Sequence, residues 1–319
     1  MADACYLGID GGGSHTVALL ADGAGRILGR AEAGPANPLT VGEAEAREAL
    51  RAAVRAAWAS AGLAARPAEV ACLGLAGTGR EPERQAALRW AAEEGLAART
   101  LVVLDCDLVL AAGTPEGWGL ALIAGTGSIA WGRDAQGRTA RAGGWGYLLG
   151  DEGSGYALGL EALRAVARAA DGAGPATALE AAILARWGLA APQELIARVY
   201  RTPFPRPEIA ALASLVEEVA GRGDPVAVQL VGEAGAALAR LLDAVARRLG
   251  LSPEGPLPCA LGGGLLVRGR LVREEALRAA AALGWKLEPV VRVEEPALGA
   301  LRLARGEAHY PPVQSTWEY

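Results

Sequence analysis

The pattern of the first thirty residues occurs a second time near the middle of the chain. Each copy has a short apolar segment, a glycine-rich loop, a second apolar segment, a polar turn and a third segment compatible with a strand. The loop and the turn fall at residues 11–14 and 22–25 in the first copy, and at 125–128 and 134–137 in the second. A repeat of this kind indicates that one structural unit has been duplicated. The sequence therefore predicts two related units, each opening with three strands and a glycine loop at the first turn.

The rest of the chain combines short apolar strands with amphipathic helices, which indicates an α/β fold. The predicted elements are a helix over 43–61, a strand over 70–75, a helix over 82–96, a strand over 100–104, a long helix over 225–249, a strand over 257–261 and a closing helix over 295–305. We expect two domains that face each other across a cleft, so that the two glycine loops could hold one polyphosphate from both sides.

The chain contains a single lysine, Lys286, so 30 of its 31 basic side chains are arginine. A P-loop nucleotidase needs a Gly-Lys-Ser/Thr step that brings an ammonium group to the phosphates, and Lys286 follows a tryptophan instead. A protein kinase needs its lysine on an early strand, before the catalytic loop. Both classes are excluded, and any phosphate binding must rely on other groups. Lys286 itself is interpreted as a surface residue beside a late strand.

Cysteine and histidine are too scattered to form a metal centre. The four cysteines and two histidines show no ligand spacing, and three of the cysteines lie in apolar runs, as expected for reduced thiols in the cytosol. The sequence shows no signal peptide and no apolar run of about 18 residues. A formal net charge of −5, with arginines dispersed along helices, argues against nucleic-acid binding. We expect a cytoplasmic protein that binds neither membrane nor nucleic acid.

The first glycine loop has the composition of a phosphate-binding turn. Glycine lets the backbone approach a ligand closely and adopt positive φ, so that several N–H groups can face phosphate oxygens. The alternative is an ordinary glycine-rich hairpin. Asp10 favours phosphate binding, because a carboxylate beside phosphates is repelled unless Mg²⁺ lies between them. The candidate nucleotide-binding residues are Gly11, Gly12, Gly13, Ser14, His15 and Thr16, with His15 interpreted as a residue at the loop edge.

Two further glycine segments are candidates for the same ligand. The second loop consists of Gly125, Thr126, Gly127 and Ser128, which adds two hydroxyl groups to the backbone donors. Taken alone this loop is a weak signal, but its correspondence with the first loop favours phosphate binding. The third segment is Gly262, Gly263 and Gly264 after a predicted strand. It could let an adenosine lie flat on the backbone, or it could serve only tight packing between a strand and a helix.

Asp105 follows the predicted strand over 100–104, at the edge where a parallel sheet opens. A carboxylate at this position could accept the proton of an attacking hydroxyl group in phosphoryl transfer. Two alternatives remain open at this stage. Asp105 could be only the N-cap of the next helix, or Asp107 could be the working carboxylate.

Three residues are candidates for holding a small polar substrate. Trp145 and Asp151 lie in a segment too rich in glycine to be the interior of a helix or strand. An indole beside carboxylates is typical of a sugar site, although a buried loop tryptophan is a frequent alternative. Asn37 precedes a proline and could be a turn residue.

These motifs together resemble those of one known family. They are Asp10-Gly11-Gly12-Gly13-Ser14, the run Asp105…Pro115…Gly125-Thr126-Gly127-Ser128, the segment Gly143-Gly144-Trp145-Gly146…Gly150-Asp151-Glu152-Gly153-Ser154, and Gly262-Gly263. These motifs span nearly the whole chain. In them the sequence resembles the N-acetylglucosamine kinase group of the BadF/BadG/BcrA/BcrD ATPase family. The Gly-Gly-Trp-Gly…Gly-Asp-Glu-Gly-Ser segment is its most specific part.

The resemblance implies two actin-like, ribonuclease H-like domains that close over ATP, Mg²⁺ and a sugar. The expected domains are residues 1–115, completed by about 296–319, and residues 116–295. The resemblance also implies that Asp105 is the base, that Asp10 holds the metal, and that the glycine loops bind the phosphates. The residues expected to hold the amino sugar are Asn37, Asp105, Thr126, Gly144, Trp145 and Asp151.

The predicted function is an ATP-dependent kinase that phosphorylates N-acetylglucosamine or glucosamine, at O6. The first loop ends in Ser14 where the family commonly has threonine, which keeps the hydroxyl group. Pro38 and Leu39 replace an aromatic residue of the animal enzymes near the N-acetyl group. The alternatives are an ATPase that activates a partner enzyme, disfavoured by the lack of cluster cysteines, and a regulator without catalysis. A homodimer is expected.

Overall fold

The structure is a computed structural model that describes residues 4–308, so the last part of the predicted first domain, residues 309–319, lies outside the described residues. The chain forms two compact units. The first comprises the described residues up to Gly119, residues 135–137 and those from Glu295 onward. The second comprises Leu120–Asp134 and Arg138–Glu294.

The first unit alternates strands and helices as predicted. Its elements are β1 (Cys5–Gly11), β2 (Thr16–Asp22), β3 (Ile27–Ala33), α1 (Pro38–Val41), α2 (Glu43–Ser60), β4 (Ala68–Leu75), α3 (Glu81–Glu93), β5 (Ala97–Val103) and α4 (Asp105–Gly113). The strand order is β3-β2-β1-β4-β5. Strand β2 runs antiparallel to β1 and β3, whereas β1, β4 and β5 are parallel.

The second unit repeats this sheet and adds helices. Its elements are β6 (Gly119–Ala124), β7 (Ser128–Arg133), β8 (Thr139–Gly143), α5 (Gly155–Ala170), α6 (Leu179–Trp187), a 3₁₀ turn (Pro192–Glu194), α7 (Leu195–Val199), α8 (Arg206–Gly221), α9 (Pro225–Arg248), β9 (Leu257–Gly262), α10 (Gly264–Val267), α11 (Leu271–Ala282) and β10 (Leu287–Arg292). The chain then returns to the first unit as α12 (Ala297–Ala304). The strand order β8-β7-β6-β9-β10 matches that of the first sheet, which confirms the predicted repeat.

The two hairpin turns have the same side-chain hydrogen bonds. Asp22 accepts hydrogen bonds from the backbone N–H and the Nε of Arg26, at 2.9 and 3.1 Å. Asp134 accepts the same pair of bonds from Arg138, at 2.8 and 2.6 Å. Each turn also has a glycine at φ +84°, a conformation that L side chains rarely adopt. The duplication therefore extends to the chemistry of the turns.

Helices cover both faces of the first sheet. One cluster of buried apolar side chains joins the sheet to α2 and α3 and includes Leu50, Trp58 and Trp90. A second cluster joins the sheet to α4 and α12 and includes Leu108 and Leu303. Three layers of this kind bury both faces of a mostly parallel sheet, which is the usual requirement for such sheets.

Helix α12 holds α4 closely. A β-carbon built on Gly299 would lie well inside van der Waals contact with the carbonyl oxygen of Leu108, and 2.9 Å from the backbone nitrogen of Ala112. Arg302 donates hydrogen bonds to the carbonyl groups of Ala111, Thr114 and Pro115 at the C-terminal end of α4. These carbonyls have no partner within the helix. A residue near the end of the described chain therefore fixes the helix that begins with Asp105.

Among the described residues, α9 alone is long and apolar enough to cross a membrane by length and composition. Half of its apolar stretch is buried within the second unit, where α9 packs against α5, α8, α11, β7 and β8. The core helix of a globular unit passes the same test, so the finding is weak evidence for a membrane span.

Asp224 is the N-cap of α9 and also holds the start of α6. Its carboxylate accepts hydrogen bonds from the backbone N–H of Ala227 at 2.9 Å, the hydroxyl of Thr177 at 2.9 Å and the N–H of Ala178 at 2.8 Å. Asp224→Ala is expected to lower the free energy of unfolding by about 2 kcal/mol, because it removes a cap and two charge-assisted bonds. Urea denaturation measures this change. The control is Asp171→Ala, at an exposed position, for which a change within about 0.5 kcal/mol is expected.

Candidate active site

The first unit gathers carboxylates at the C-terminal ends of its parallel strands. Asp10 lies in β1 and pairs in register with Gly74 of β4, which in turn pairs with Val103 of β5. Asp105 comes two residues after Val103, at the same edge of the sheet. Ligands of open α/β sheets bind at this edge. The fold therefore places the two predicted functional aspartates where chemistry is expected.

The environment of Asp10 disfavours its negative charge. Desolvation, followed by the charges of Asp105 and Glu295, raises the pKa of Asp10 to about 7. No side chain of the described residues donates a hydrogen bond to the Asp10 carboxylate or forms an ion pair with it, whereas Glu295 pairs with Arg30 at 2.9 Å. A bound cation would relieve this excess of negative charge.

Asp105 is the first residue of α4, and the N-cap position belongs to Leu104. The alternative that Asp105 serves as the N-cap is therefore wrong. Its side chain is exposed and its Oδ1 accepts the N–H of Cys106 at 2.9 Å. Desolvation by the surrounding protein raises the pKa of Asp105, partly offset by that hydrogen bond. A carboxylate with a raised pKa accepts a proton more readily near neutral pH.

Asp107 has a structural partner instead. Its side chain is buried, and its Oδ2 accepts the backbone N–H of Leu104 at 3.2 Å. A carboxylate at the third helical position often satisfies the donor of the N-cap residue in this way. Of the two aspartates considered from the sequence, Asp105 faces solvent and Asp107 closes the start of the helix.

The first glycine loop approaches its surroundings closely but does not use positive φ, so the sequence-based argument for positive φ in this loop is wrong. None of Gly11, Gly12 and Gly13 has a φ in that range. Gly11 packs closely, since a β-carbon there would lie 2.5 Å from Leu75 Cδ2 and the end of that side chain would have to move. Gly13 is exposed, and the nearest heavy atom to a β-carbon built there is Asn37 Nδ2 at 4.0 Å. The loop thus leaves room for a ligand beside Gly13.

The neighbours of this loop have different roles. Thr16 is fully buried and donates a hydrogen bond from its hydroxyl to the carbonyl of Gly34 at 2.7 Å, so its side chain holds the loop. The N–H of Ala36 donates to the Gly12 carbonyl at 3.1 Å. These two bonds fix Asn37 beside Gly13. Ser14 and His15 are exposed, with their side chains toward solvent.

In the second unit, Asp151 holds the second glycine loop. Its side chain is 4% exposed, and its Oδ1 accepts the backbone N–H of Ser128 at 3.1 Å. A β-carbon on Gly127 would lie 2.8 Å from that oxygen, so only glycine fits against the carboxylate. Asp151 also has φ +63°, the only residue other than glycine in the described chain with a positive φ. Thr126, which lies between Gly125 and Gly127 in the second loop, is exposed.

The third glycine segment lies next to the second loop. A β-carbon built on Gly125 would lie 3.8 Å from the nitrogen of Gly264 and 4.0 Å from the Cα of Gly263. Gly263 itself has φ +78°, and a β-carbon there would collide with the backbone of Ala124. Close packing, one of the two sequence-based interpretations, therefore accounts for Gly263. Gly263 and Gly264 are half-buried, and they follow directly after strand β9.

The segment that contains Gly144 and Trp145 is an exposed loop. Gly143, Gly144 and Gly146 all have positive φ, so this is where the chain needs glycine for its conformation. The Trp145 side chain is 58% exposed and carries the guanidinium of Arg141 at 5.3 Å from its ring centroid. The alternative of a buried loop tryptophan is wrong. An exposed indole remains available for a sugar.

The resemblance to the kinase group implies bound Mg²⁺. The carboxylates of the first unit are suitable ligands for this ion. Asp10 offers oxygen ligands, which Mg²⁺ prefers, and no side chain of the described residues forms an ion pair with it. The described residues contain no cluster of three or more histidine, cysteine, aspartate or glutamate side chains that could hold a metal by themselves. Mg²⁺ commonly binds through one or two carboxylates, together with water and substrate phosphates, so this finding fits the ion.

Two charged residues near the predicted site were not identified from the sequence. Glu295, interpreted only as the start of a closing helix, contributes to the field at Asp10. Arg206 forms an ion pair with Asp151 at 3.6 Å. No local motif marks either residue, because each reaches its partner through more than fifty residues of intervening chain.

Comparison with known proteins places this geometry in a family. A model described as the BadF/BadG/BcrA/BcrD ATPase family matches residues 7–304. The chain belongs to the BadF/BadG/BcrA/BcrD ATPase family. Among individual proteins, the chain is similar to the N-acetylmuramic acid/N-acetylglucosamine kinase of Clostridium acetobutylicum, to which it is 30% identical over 94% of this chain and 98% of that protein. The N-acetyl-D-glucosamine kinase of Dictyostelium discoideum is also 30% identical, over 95% of this chain and 98% of that protein.

A solved structure supports the same assignment within the BadF/BadG/BcrA/BcrD ATPase family. It is a Chromobacterium violaceum protein designated as an N-acetylglucosamine kinase, with a TM-score of 0.75 and 32% identity, over 95% of this chain and 100% of that one. The predicted fold class, α/β with two actin-like units, is confirmed by this likeness and by the repeated sheets.

Proposed function

We propose that this chain is an ATP-dependent kinase that phosphorylates N-acetylglucosamine or glucosamine at O6. The observation that carries the proposal is Asp105, an exposed carboxylate with a raised pKa at the edge of the first sheet. Relatives of this chain are named sugar kinases. A sugar phosphotransferase needs a base for the attacking hydroxyl group, and Asp105 is suited to that task.

In the proposed reaction, the Asp105 carboxylate accepts the proton of the sugar hydroxyl group. The hydroxyl oxygen forms a bond to the γ-phosphorus, and the bond between that phosphorus and the bridging oxygen of ADP breaks. Asn37, Gly144, Trp145 and Asp151 position the sugar. Gly11–Ser14 and Gly125–Ser128 donate backbone N–H groups to phosphate oxygens, and Gly262–Gly264 lie beside the adenosine.

Asp10 would hold Mg²⁺, which supplies charge neutralisation at the phosphates when it is bound. The arginine-rich chain needs no lysine for this chemistry, because backbone donors and a metal replace an ammonium group. Gly13, which is open to solvent, and Gly125, which lies beside the half-buried Gly263 and Gly264, support the idea.

The test is ADP release with a panel of sugars, followed by assignment of the phosphorylated position by NMR. We expect ADP release that depends on N-acetylglucosamine or glucosamine, and a 6-phosphate product. ADP release that is independent of sugar would contradict the kinase, and a phosphate on another hydroxyl group would contradict the assignment to O6 alone.

Gly13→Ala is expected to raise the KM for ATP about tenfold without destabilising the protein. A methyl group at Gly13 would meet only Asn37 Nδ2, at 4.0 Å, and needs no unusual φ, but it would occupy the space assigned to a phosphate. Loss of one strong backbone contact is worth about a factor of ten. The matched control is Gly23→Ala, because Gly23 has no atom within 4 Å and lies in the hairpin turn. An unchanged KM in Gly13→Ala would remove the first loop from the nucleotide site.

The homodimer, the cytoplasmic location and the absence of nucleic-acid or membrane partners stay predictions. All four cysteines are buried, and none forms a disulfide bond among the described residues, in keeping with a reducing compartment. Sedimentation equilibrium of the purified protein would determine the oligomeric state.

A further inference from the structure

Arg268 places a charged group against the third glycine segment. It directly follows α10, and its backbone N–H donates to the carbonyl of Gly264 at 3.1 Å, so the two residues are neighbours one helical turn apart. A β-carbon built on Gly264 would lie 3.0 Å from the Cζ and 3.5 Å from the Nη1 of Arg268, and closer still to its Nη2. The guanidinium group therefore rests on the glycine at the point where a side chain would begin.

Among the described residues, no partner holds this guanidinium group. Arg268 is exposed, and its side chain forms no hydrogen bond or ion pair with any of them. The next arginines along the chain differ in this respect. Arg270 pairs with Glu274 at 3.0 Å. Arg273 donates to the carbonyl of Leu266 at 2.9 Å. The Arg268 side chain is therefore available to a ligand.

Gly264 is also a neighbour of the second glycine loop. A β-carbon built on Gly125 would lie 3.8 Å from the backbone nitrogen of Gly264. In the proposed reaction the second loop holds phosphates, and Gly262–Gly264 lie beside the adenosine. A nucleotide bound in this way would extend from the loop past Gly264 toward Arg268. The part of the nucleotide that reaches the guanidinium group is its base.

A carboxylate near the same segment bears on which part of a nucleotide lies there. Glu217 of α8 accepts the backbone N–H of Val272 at 2.8 Å through Oε1. A β-carbon built on Gly269, the residue after Arg268, would lie 2.6 Å from the Oε2 of Glu217. This negative charge disfavours a phosphate beside Arg268 more than it disfavours an uncharged base.

We propose that Arg268 stacks its guanidinium group on the adenine ring of the bound nucleotide. The inference rests on the proposed function, because that function places the adenosine beside Gly262–Gly264. Guanidinium groups are planar and weakly hydrated, and they stack on aromatic faces. Arg268 would hold the end of ATP that is remote from the phosphates, and it takes no part in the transfer of the proton or the phosphoryl group.

The test is the binding of ADP and of adenosine to the wild type and to Arg268→Ala, without sugar. Isothermal titration calorimetry gives the Kd of ADP, and displacement of ADP gives the Kd of adenosine. We expect both values to rise about tenfold in Arg268→Ala, the scale of a cation–π contact. Arg268→Lys keeps the charge without the planar group, and we expect a rise of about fivefold. The thermal unfolding of both variants should match the wild type, because the side chain holds no hydrogen bond among the described residues.

Arg270→Ala is the matched control, because Arg270 is also exposed but pairs with Glu274. Its two Kd values should stay within twofold of the wild type. An unchanged Kd for ADP in Arg268→Ala overturns the inference. A loss for ADP without a loss for adenosine also overturns it, because Arg268 would then bind a phosphate.

The wild type alone separates this inference from the proposed function. A wild type that binds ADP but not adenosine at millimolar concentration overturns the inference, because the base would then contribute too little, and leaves the kinase intact. A wild type that binds both ligands but phosphorylates no sugar contradicts the proposed function, while the affinities of the variants still decide the role of Arg268. A wild type that binds no ADP contradicts both.

Discussion

Asp105→Asn is expected to lower kcat for sugar phosphorylation by about a thousandfold. Asparagine keeps the size of the side chain and can still accept the N–H of Cys106, but it cannot take a proton from the attacking hydroxyl group. General-base catalysis typically contributes between about a hundredfold and ten-thousandfold. The KM values for sugar and ATP should change much less, because the substitution does not alter the shape of the site. Coupled measurement of ADP release at saturating substrates gives the result.

The matched variant is Asp107→Asn, which removes a carboxylate two residues further along the same helix. Its amide oxygen can still accept the N–H of Leu104, so we expect kcat within about threefold of the wild type. If Asp107→Asn abolished turnover while Asp105→Asn retained it, the base would be Asp107. Sugar-independent ATP hydrolysis that survives in Asp105→Asn would argue against a kinase.

Gly299→Ala is expected to lower the free energy of unfolding by about 3 kcal/mol. The added methyl group would collide with the backbone of α4 at Leu108, and two helix backbones cannot yield as a flexible side chain can. Overpacking in a close interface typically costs about 1–3 kcal/mol, and a backbone clash lies at the upper end. Because α4 begins with Asp105, kcat should fall as well. Urea denaturation and the kinase assay measure the two effects.

Gly232→Ala makes the same chemical change, and we expect it to have the opposite effect on the free energy of unfolding. Gly232 lies inside α9, with no atom within 4 Å of the position of a β-carbon. Alanine favours a helix over glycine by about 1 kcal/mol, so this variant should be more stable than the wild type. A Gly299→Ala protein as stable as Gly232→Ala would show that α12 does not press on α4.

The sequence carried enough information to predict the strands of both units. The repeated order of strand, loop, strand and turn depends on local chemistry, and Asp22 with Arg26 and Asp134 with Arg138 form the same local turn. Glycine was less informative about its own role. Positive φ was expected at Gly11–Gly13 but occurs at Gly143, Gly144 and Gly146, since composition alone does not tell whether a glycine is needed for space or for conformation.

The contacts that sequence reasoning missed are all long-range. Arg30 meets Glu295 across 265 residues, and Arg206 meets Asp151 across a connection that includes three α-helices and a 3₁₀ turn. Such pairs depend on how elements pack and not on spacing within one element. The buried bond from Asp151 to the Ser128 N–H also could not be predicted, because a glycine-rich segment has no periodicity that would give the direction of a side chain.

The return of α12 to the first unit also governs the order in which the protein matures during translation. The first 119 residues leave the ribosome with the apolar side of α4 uncovered, because Ala300 and Leu303, which cover it, are made about 180 residues later. At the usual pace of synthesis that interval lasts on the order of ten seconds or more. The setting of Asp105 is therefore completed only after α12 has been synthesised, and a nascent chain gains its proposed activity in one late step.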